Sequence, residues 1–148
     1  MTDSRDHFEK FEDHTLLKHA FLRGYLTKWA SILLSPQARN HSVCFIDAFA
    51  GPGHDRHGTE GSPMIAIAAA KAIREMSAMG KLTAGARLRV AFVERNAKYF
   101  RELSQSVSGS TMGSTEDVLR EHAGFTATLP RLADVLSARP PPPLVDPF

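Results

Sequence analysis

The sequence is poor in several features that mark particular classes of protein. It has one cysteine among 148 residues, which excludes an internal disulfide. Its 18 basic and 16 acidic side chains nearly balance, giving a net charge of +2, and no block of like charges occurs. Composition therefore offers no electrostatic argument for binding nucleic acid or a membrane, although it excludes neither.

Long hydrophobic runs are missing as well. The first residues, M-T-D-S-R-D-H, contain no apolar signal core, and no stretch reaches the ~18 apolar residues of a membrane span. Hydrophobic residues make up 43% of the chain and charged residues 23%, which is typical of a soluble globular protein. The length suits one domain, and we expect a cytoplasmic protein with no membrane partner.

The strongest pattern is the stretch V-C-F-I-D-A-F-A-G-P-G. Its apolar part, residues 43–46, does not alternate with polar residues, which is typical of a strand covered on both faces of a parallel sheet. Cys44 lies in this strand, so we expect a buried, unreactive thiol. Asp47 ends the strand, and Gly51 and Gly53 then allow a turn that a ligand can approach closely. Parallel sheets bind their ligands at this end of their strands.

Residues 14–34 have the pattern of an amphipathic helix, and residues 1–13 form a polar lead-in to it. The pattern ends at Ser35-Pro36, because the residue before a proline is pushed out of helical geometry. We expect the apolar face to pack on the sheet, with a partner-binding helix as the alternative. The predicted apolar stripe consists of Leu17, Phe21, Tyr25, Trp29 and Leu33, widened by Leu16, Ala20, Leu26 and Ile32.

Helices and strands alternate along the rest of the chain. This order predicts an α/β fold with a doubly wound, Rossmann-like parallel sheet, to which the first helix is added. Because the pattern stops at a fourth strand, we expect residues 14–148 to be the N-terminal portion of one domain whose C-terminal half is missing. The predicted elements are a helix starting with Ser62 as N-cap, a strand at 87–93, a helix capped by Asn96, a weak strand at 118–123, a helix around 129–136 and a strand at 144–146.

Three familiar ligand-binding patterns are incomplete. The dinucleotide fingerprint requires a third glycine where this sequence has Arg56, and the phosphate-binding loop requires Ser or Thr where Gly80-Lys81 is followed by leucine. His54 and His57 lie in the loop after the glycine turn, but a metal site needs a further well-spaced ligand. We therefore predict neither a dinucleotide site, nor a phosphate-binding loop, nor a metal.

Acidic residues end two further predicted strands. Glu94 follows the strand at 87–93, at the position where a carboxylate accepts hydrogen bonds from two adjacent ribose hydroxyls. An ordinary exposed charge is the alternative for Glu94, but the preceding glycine turn favours the ribose. Asp146 ends the fourth strand and begins the sequence Asp-Pro-Phe.

This combination resembles the class I S-adenosylmethionine-dependent methyltransferases. Residues 47–53 look like their first motif, which wraps the methionine part of the cofactor, and Glu94 with Arg95 matches the ribose-binding position. The terminal Asp-Pro-Phe is similar to the Asp-Pro-Pro-Tyr/Phe motif, in which the acid and a backbone carbonyl orient the acceptor's amino group. The resemblance implies cofactor-binding roles for Asp47, Phe49, Ala50, Gly51, Pro52, Gly53, Glu94 and Arg95, and catalytic roles for Asp146, Pro147 and Phe148.

The whole chain is similar to the three-Cys-motif partner family, which is methyltransferase-like in fold. The resemblance implies a second protein with a three-cysteine motif as partner. One departure is Gly124-Phe125-Thr126, where the family tends to carry an acid near the adenine. The similar stretches are residues 14–19 with Tyr25 and Trp29, then 45–53, 61–63, 93–95 and 146–148.

Three interpretations follow. The first is a methyltransferase that acts on an amino group of an unknown acceptor, nucleic acid included, for which we expect this chain alone to be inactive. The second is a non-catalytic module that docks a partner and keeps a vestigial cofactor site. The third is a cofactor-free α/β core in which Asp47 and Glu94 cap strand ends. Cytosine ring-carbon methylation is disfavoured, because no cysteine lies near the Asp-Pro-Phe site to act as nucleophile.

Overall fold

The computed structural model describes the backbone of residues 3–110, 117–136 and 144–146, and the side chains of residues 15–110 and 117–134. Helices and strands alternate, as predicted. The helices are α1 (Asp3–Leu33), α2 (Ser62–Ala78), α3 (Ala97–Ser108) and α4 (Phe125–Leu136). The strands are β1 (Ser42–Asp47), β2 (Arg87–Val93), β3 (Val118–Glu121) and β4 (Leu144–Asp146).

The four strands form one parallel sheet in the order β3-β2-β1-β4. The α/β class and the parallel sheet are therefore confirmed, and the open sheet is compatible with a Rossmann-like arrangement. In the register, Asp47 of β1 lies opposite Phe92 of β2 on one side and Asp146 of β4 on the other. The carboxyl ends of these three strands consequently meet at one edge of the sheet.

Strand β1 is buried on both faces, which is why its sequence shows no alternation. Val43 and Phe45 face the cluster formed with α1, α2 and α3, while Cys44 and Ile46 belong to a second cluster that includes Leu132 of α4. Burial raises the pKa of the Cys44 thiol to about 11, against an opposing effect of the nearby Arg89. The thiol is therefore neutral near pH 7, and its predicted burial is confirmed.

The face of α1 that packs in the core differs from the predicted stripe. Leu17, Phe21 and Ile32, three members of that stripe, are well exposed. Of the predicted set, Leu26 is buried, and Trp29 and Leu33 are half-buried against the core. The buried row lies mostly one position further along the chain, at Leu22, Leu26, Ala30 and Leu34.

The first turns of α1 also differ from the prediction, since the helix begins at Asp3 and not near residue 14. Residues 3–13 contain neither proline nor glycine, so nothing in their sequence ends a helix that continues from the apolar segment. At its other end, α1 stops at Leu33, just before Ser35-Pro36, as predicted.

The sheet edge at β3 is stabilised by charged side chains. Buried Asp117 lies 2.8 Å from Arg74 of α2 and 3.6 Å from Arg87 of β2. Arg120 of β3 donates hydrogen bonds to the Ser104 carbonyl and to the Ser108 hydroxyl of α3. Arg120, a charged residue within the predicted strand, therefore attaches β3 to α3.

Candidate functional site

The turn after β1 has the conformation that its glycines predict. Gly51 and Gly53 have φ angles of 69° and 90°, in the left-handed region that other residues rarely adopt. The turn is attached to β2, because the Ala50 amide donates to the Val93 carbonyl at 3.1 Å. At Gly53 a side chain would also meet α3, since an added Cβ would lie 3.0 Å from the Ser106 Cβ. Glycine at 53 is therefore required by both backbone and packing.

Glu94 joins the glycine turn to the end of β2. Its Oε2 accepts a hydrogen bond from the Gly51 amide at 2.9 Å, and its Oε1 accepts one from the Asn96 amide at 2.6 Å. A carboxylate offers about four lone-pair positions, so two such bonds leave acceptor capacity on both oxygens. The side chain is half-buried at the sheet edge. The structure thus brings together two of the predicted cofactor-binding residues.

Asp47 lies beneath the turn, with no exposed surface. Its Oδ1 accepts a hydrogen bond from the Phe49 amide at 3.2 Å, and its Oδ2 accepts one from the Ser62 hydroxyl at 2.5 Å. Ser62 was predicted to be the N-cap of α2, but Gly61 holds that position and no side chain caps the helix. The prediction was wrong because the Ser62 hydroxyl is bonded to Asp47.

A pocket of about 770 Å³ opens beside the glycine turn. Four predicted cofactor-binding residues line it, namely Phe49, Ala50, Pro52 and Gly53. The other four, Asp47, Gly51, Glu94 and Arg95, are not among the described residues that line it. The remaining lining comes from Thr15, Lys18 and His19 of α1, from His54 and Asp55, and from Gly61 and Ser62.

Residues 54–60 form a folded loop at the pocket. Asp55 Oδ1 accepts hydrogen bonds from the amides of Thr59 and His57, both at 2.8 Å, and these bonds, that of Thr59 first, lower the pKa of the Asp55 carboxyl. His54 Nδ1 is hydrogen-bonded to the Ser106 hydroxyl at 3.1 Å. Over the residues with described side chains, no group of three histidine, cysteine or acidic residues is placed to hold a metal ion.

Arg95 is exposed at the tip of β2, and its carbonyl accepts a hydrogen bond from His122 Nε2 at 3.2 Å. His122 follows β3, and its ring stacks on Phe100 of α3 with centroids 5.0 Å apart. This contact connects the tips of β2 and β3. It was not foreseen from the sequence, where the histidine and the aromatic residue are 22 positions apart.

The predicted catalytic residues are described in part. The backbone of Asp146 lies opposite Asp47 in the sheet, next to the strand that carries the glycine turn. Pro147 and Phe148 lie outside the described residues. The sheet register therefore places the backbone of one predicted catalytic residue at the same edge as Glu94.

Sequence reasoning missed Ser62 as the partner of Asp47 and Ser106 as the partner of His54. The Asp47–Ser62 contact could have been predicted, because Ser-Pro marks a helix start that must lie near the strand end. The His54–Ser106 contact could not have been predicted, since Ser106 is one of several serines along α3.

Comparison with known proteins identifies no relative of this chain. No family model, no curated protein and no solved structure matches the chain. Within the described residues, no helix combines the length and apolarity needed to cross a membrane.

Proposed function

We propose that the chain is the S-adenosylmethionine-binding part of a methyltransferase of the three-Cys-motif partner type, acting on an amino group. The observation that carries this proposal is the hydrogen bond from the Gly51 amide to Glu94 Oε2. It places the glycine turn after β1 beside the acid after β2. In a parallel sheet these are the two positions from which the phosphate or amino-acid part and the ribose of a nucleoside cofactor are held.

The pocket beside Phe49, Pro52 and Gly53 would take the amino-acid end of the cofactor. Gly53 has no side chain to obstruct an approach to the main chain there. Glu94 would accept hydrogen bonds from the ribose hydroxyls with the lone pairs that its two backbone bonds leave unused. Asp47 would act indirectly, by holding the turn and the start of α2 in place.

When bound, S-adenosylmethionine supplies an electrophilic methyl group on a sulfonium. The residues of this chain would then contribute positioning, which is worth several orders of magnitude in rate when the reacting atoms are well aligned. By the resemblance, Asp146 and the backbone carbonyl of Pro147 would accept hydrogen bonds from the acceptor's amino group and so orient the nitrogen lone pair. The register of β4 against β1 supports this role, because it puts Asp146 next to Asp47.

A non-catalytic module with a vestigial site is the second candidate. It is favoured by the internal bonding of the two acids, since every carboxylate oxygen of Asp47 and Glu94 already accepts a hydrogen bond from the protein. Gly124-Phe125-Thr126, in place of the family's acid near the adenine, points the same way.

Calorimetric titration of S-adenosylmethionine and S-adenosylhomocysteine into the chain separates the two candidates. We expect micromolar binding that Glu94→Gln weakens about 10- to 100-fold, because the amide loses charge-assisted hydrogen bonds to the ribose. Glu75→Gln on the exposed side of α2 is the matched control and should bind as the wild type does. A folded chain that binds neither compound would contradict the proposal, as would unchanged affinity in Glu94→Gln.

A further inference from the structure

Helix α1 carries an apolar row on its exposed side. We call the "α1 stripe" the four residues Leu17, Phe21, Tyr25 and Ile32, whose exposed fractions are 70%, 65%, 39% and 60%. At 3.6 residues per turn they lie on one side of the helix, over about 22 Å of its length. The rings of Phe21 and Tyr25 stack with centroids 5.1 Å apart and an angle of 13°. These two rings therefore form one apolar surface in the middle of the stripe.

Within the part of the chain that the structure describes, this surface takes no part in the core. On the other side of α1, Leu22, Leu26, Ala30 and Leu34 are buried against the rest of the domain. A helix on the surface of a domain normally has one apolar face and one polar face. An additional large apolar row exposed to water is typical of a site of association.

Among the described side chains of α1, from residue 15 onward, the charges are all basic. From residue 14 to residue 46 the sequence contains no aspartate or glutamate. Lys28 is exposed and lies between Leu17 and Phe21 in angular position around the helix. Lys18 lies beside the stripe, and Arg23, on another side of the helix, lies 3.2 Å from Glu60. A surface that complements the stripe is therefore apolar and carries acidic residues that face the lysines.

We propose that the α1 stripe docks an acidic amphipathic helix of a partner protein. A ridge of side chains spaced i, i+4 fits between the ridges of another helix, which would bring its own apolar residues at the same spacing. Its glutamates or aspartates would lie against Lys28. None of the four stripe residues is among the described residues that line the pocket, whereas Lys18, beside the stripe, does line it.

Two other occupants fit the surface less well. An interfacial membrane helix buries a wide apolar face and bears many basic residues, but the broad apolar face of α1 is already inside the domain and few lysines flank the stripe. In a second copy of the chain, the described side chains of α1 would bring lysines and no acids to the contact, and juxtaposed like charges oppose association.

Selection from a displayed library of helical peptides of about 16 residues, or four to five turns, tests the proposal. The wild-type chain is the bait, and Leu17→Ser/Phe21→Ser/Ile32→Ser is the counter-bait. We expect enriched peptides to be acidic and to repeat apolar residues at i, i+3 and i+4. Enrichment of basic peptides would overturn the proposal. It would also be overturned if every enriched peptide bound the two baits equally well.

Affinities of an enriched peptide sharpen the result. Phe21→Ser should weaken binding about tenfold or more, since it removes a large buried anchor. Lys28→Gln should weaken it less and reduce its dependence on salt. Met79→Ser, which changes an equally exposed apolar residue at the end of α2, is the matched control and should bind normally.

Light scattering and vesicle sedimentation address the other occupants directly. Self-association that Phe21→Ser abolishes would overturn the proposal in favour of a second copy. Binding to phosphatidylserine-containing vesicles that the same change abolishes would overturn it in favour of a membrane. Circular dichroism and urea unfolding should show that each variant folds, because all the changed side chains are exposed.

Discussion

Asp47 and Glu94 are acids at the same ends of two adjacent parallel strands, yet their surroundings differ. Asp47 ends β1 with no exposed surface and bonds within its own β–α unit, to the Phe49 amide and to Ser62 at the start of α2. Glu94 follows β2, is half-buried, and reaches across to the Gly51 amide in the turn of the neighbouring strand.

The comparison shows that position at a strand end does not by itself decide what a carboxylate does. The position of the helix that follows each strand decides which groups the carboxylate contacts. Residues 54–60 form a loop that brings α2 back so that its first residue lies against Asp47, whereas Asn96 caps α3 with its own side chain and leaves Glu94 at the surface. Asp47 consequently holds the turn and the start of α2 together, and Glu94 keeps acceptor capacity on its two oxygens.

Removal of each acid should separate these roles most clearly. We expect Asp47→Ala to lower the free energy of unfolding by about 3 kcal/mol, because it leaves the buried Ser62 hydroxyl and the Phe49 amide without their acceptors. Glu94→Ala should cost about 1 kcal/mol, since water can reach the amides that it exposes. Urea unfolding monitored by circular dichroism measures both. Equal losses would show that the two carboxylates do not differ in this way.

The two glycines of the turn extend the comparison to the backbone. Gly53→Ala should lower the free energy of unfolding by about 2 kcal/mol, because left-handed backbone and contact with Ser106 both oppose a Cβ. Gly51→Ala should cost about 1 kcal/mol, since nothing lies within 4 Å of its added Cβ and only the left-handed backbone opposes it.

Unfolding of the two alanine variants side by side provides the measurement. Gly51→Ala is the internal control for the conformational part of the cost. If the two losses were the same, contact with α3 would contribute nothing at residue 53.

We expect the smallest effect on stability at Asp55, an acid of the same region that is fully exposed. Its amide hydrogen bonds, that of Thr59 first, lower its pKa in the folded chain below the ordinary 3.8, although some desolvation opposes them. Its contribution to stability is therefore present above the unfolded pKa and is lost as the pH falls through the folded pKa.

We expect the difference in stability between the wild type and Asp55→Asn to shrink as the pH is lowered from 6 through ~4 and below. A carboxyl NMR titration of Asp55 should show the lowered pKa directly. A pKa at or above the ordinary value would contradict the hydrogen-bonded loop.

Much of the fold could be predicted from local patterns. The apolar run of β1, the glycines after it and the Asn96 cap of α3 each depend on the preferences of a few neighbouring residues, and the structure has all three. The prediction of the buried face of α1 was wrong for a physical reason. Apolar residues cover more than one side of that helix, so periodicity alone cannot tell which side meets the core.

The buried row of α1 consists of three leucines and one alanine. Ala30 lies on the buried row of α1, which packs on the alanine-rich α2, and close approach of two helices needs small side chains at the contact. Larger residues such as Phe21 are left in water. The prediction counted large apolar residues, which carry the strongest periodic signal, and so chose the wrong side.

The sequence by itself determined where the strands lie, that the sheet is parallel, and that a glycine turn follows β1, because backbone preferences and burial of whole strands act locally. Tertiary structure alone decided which oxygen of which acid meets which donor, which wall closes the pocket, and which side of α1 remains exposed. Those contacts join Gly51 to Glu94 and Asp47 to Ser62 across many residues of chain. They depend on the packing of elements in three dimensions, which no short stretch of sequence encodes.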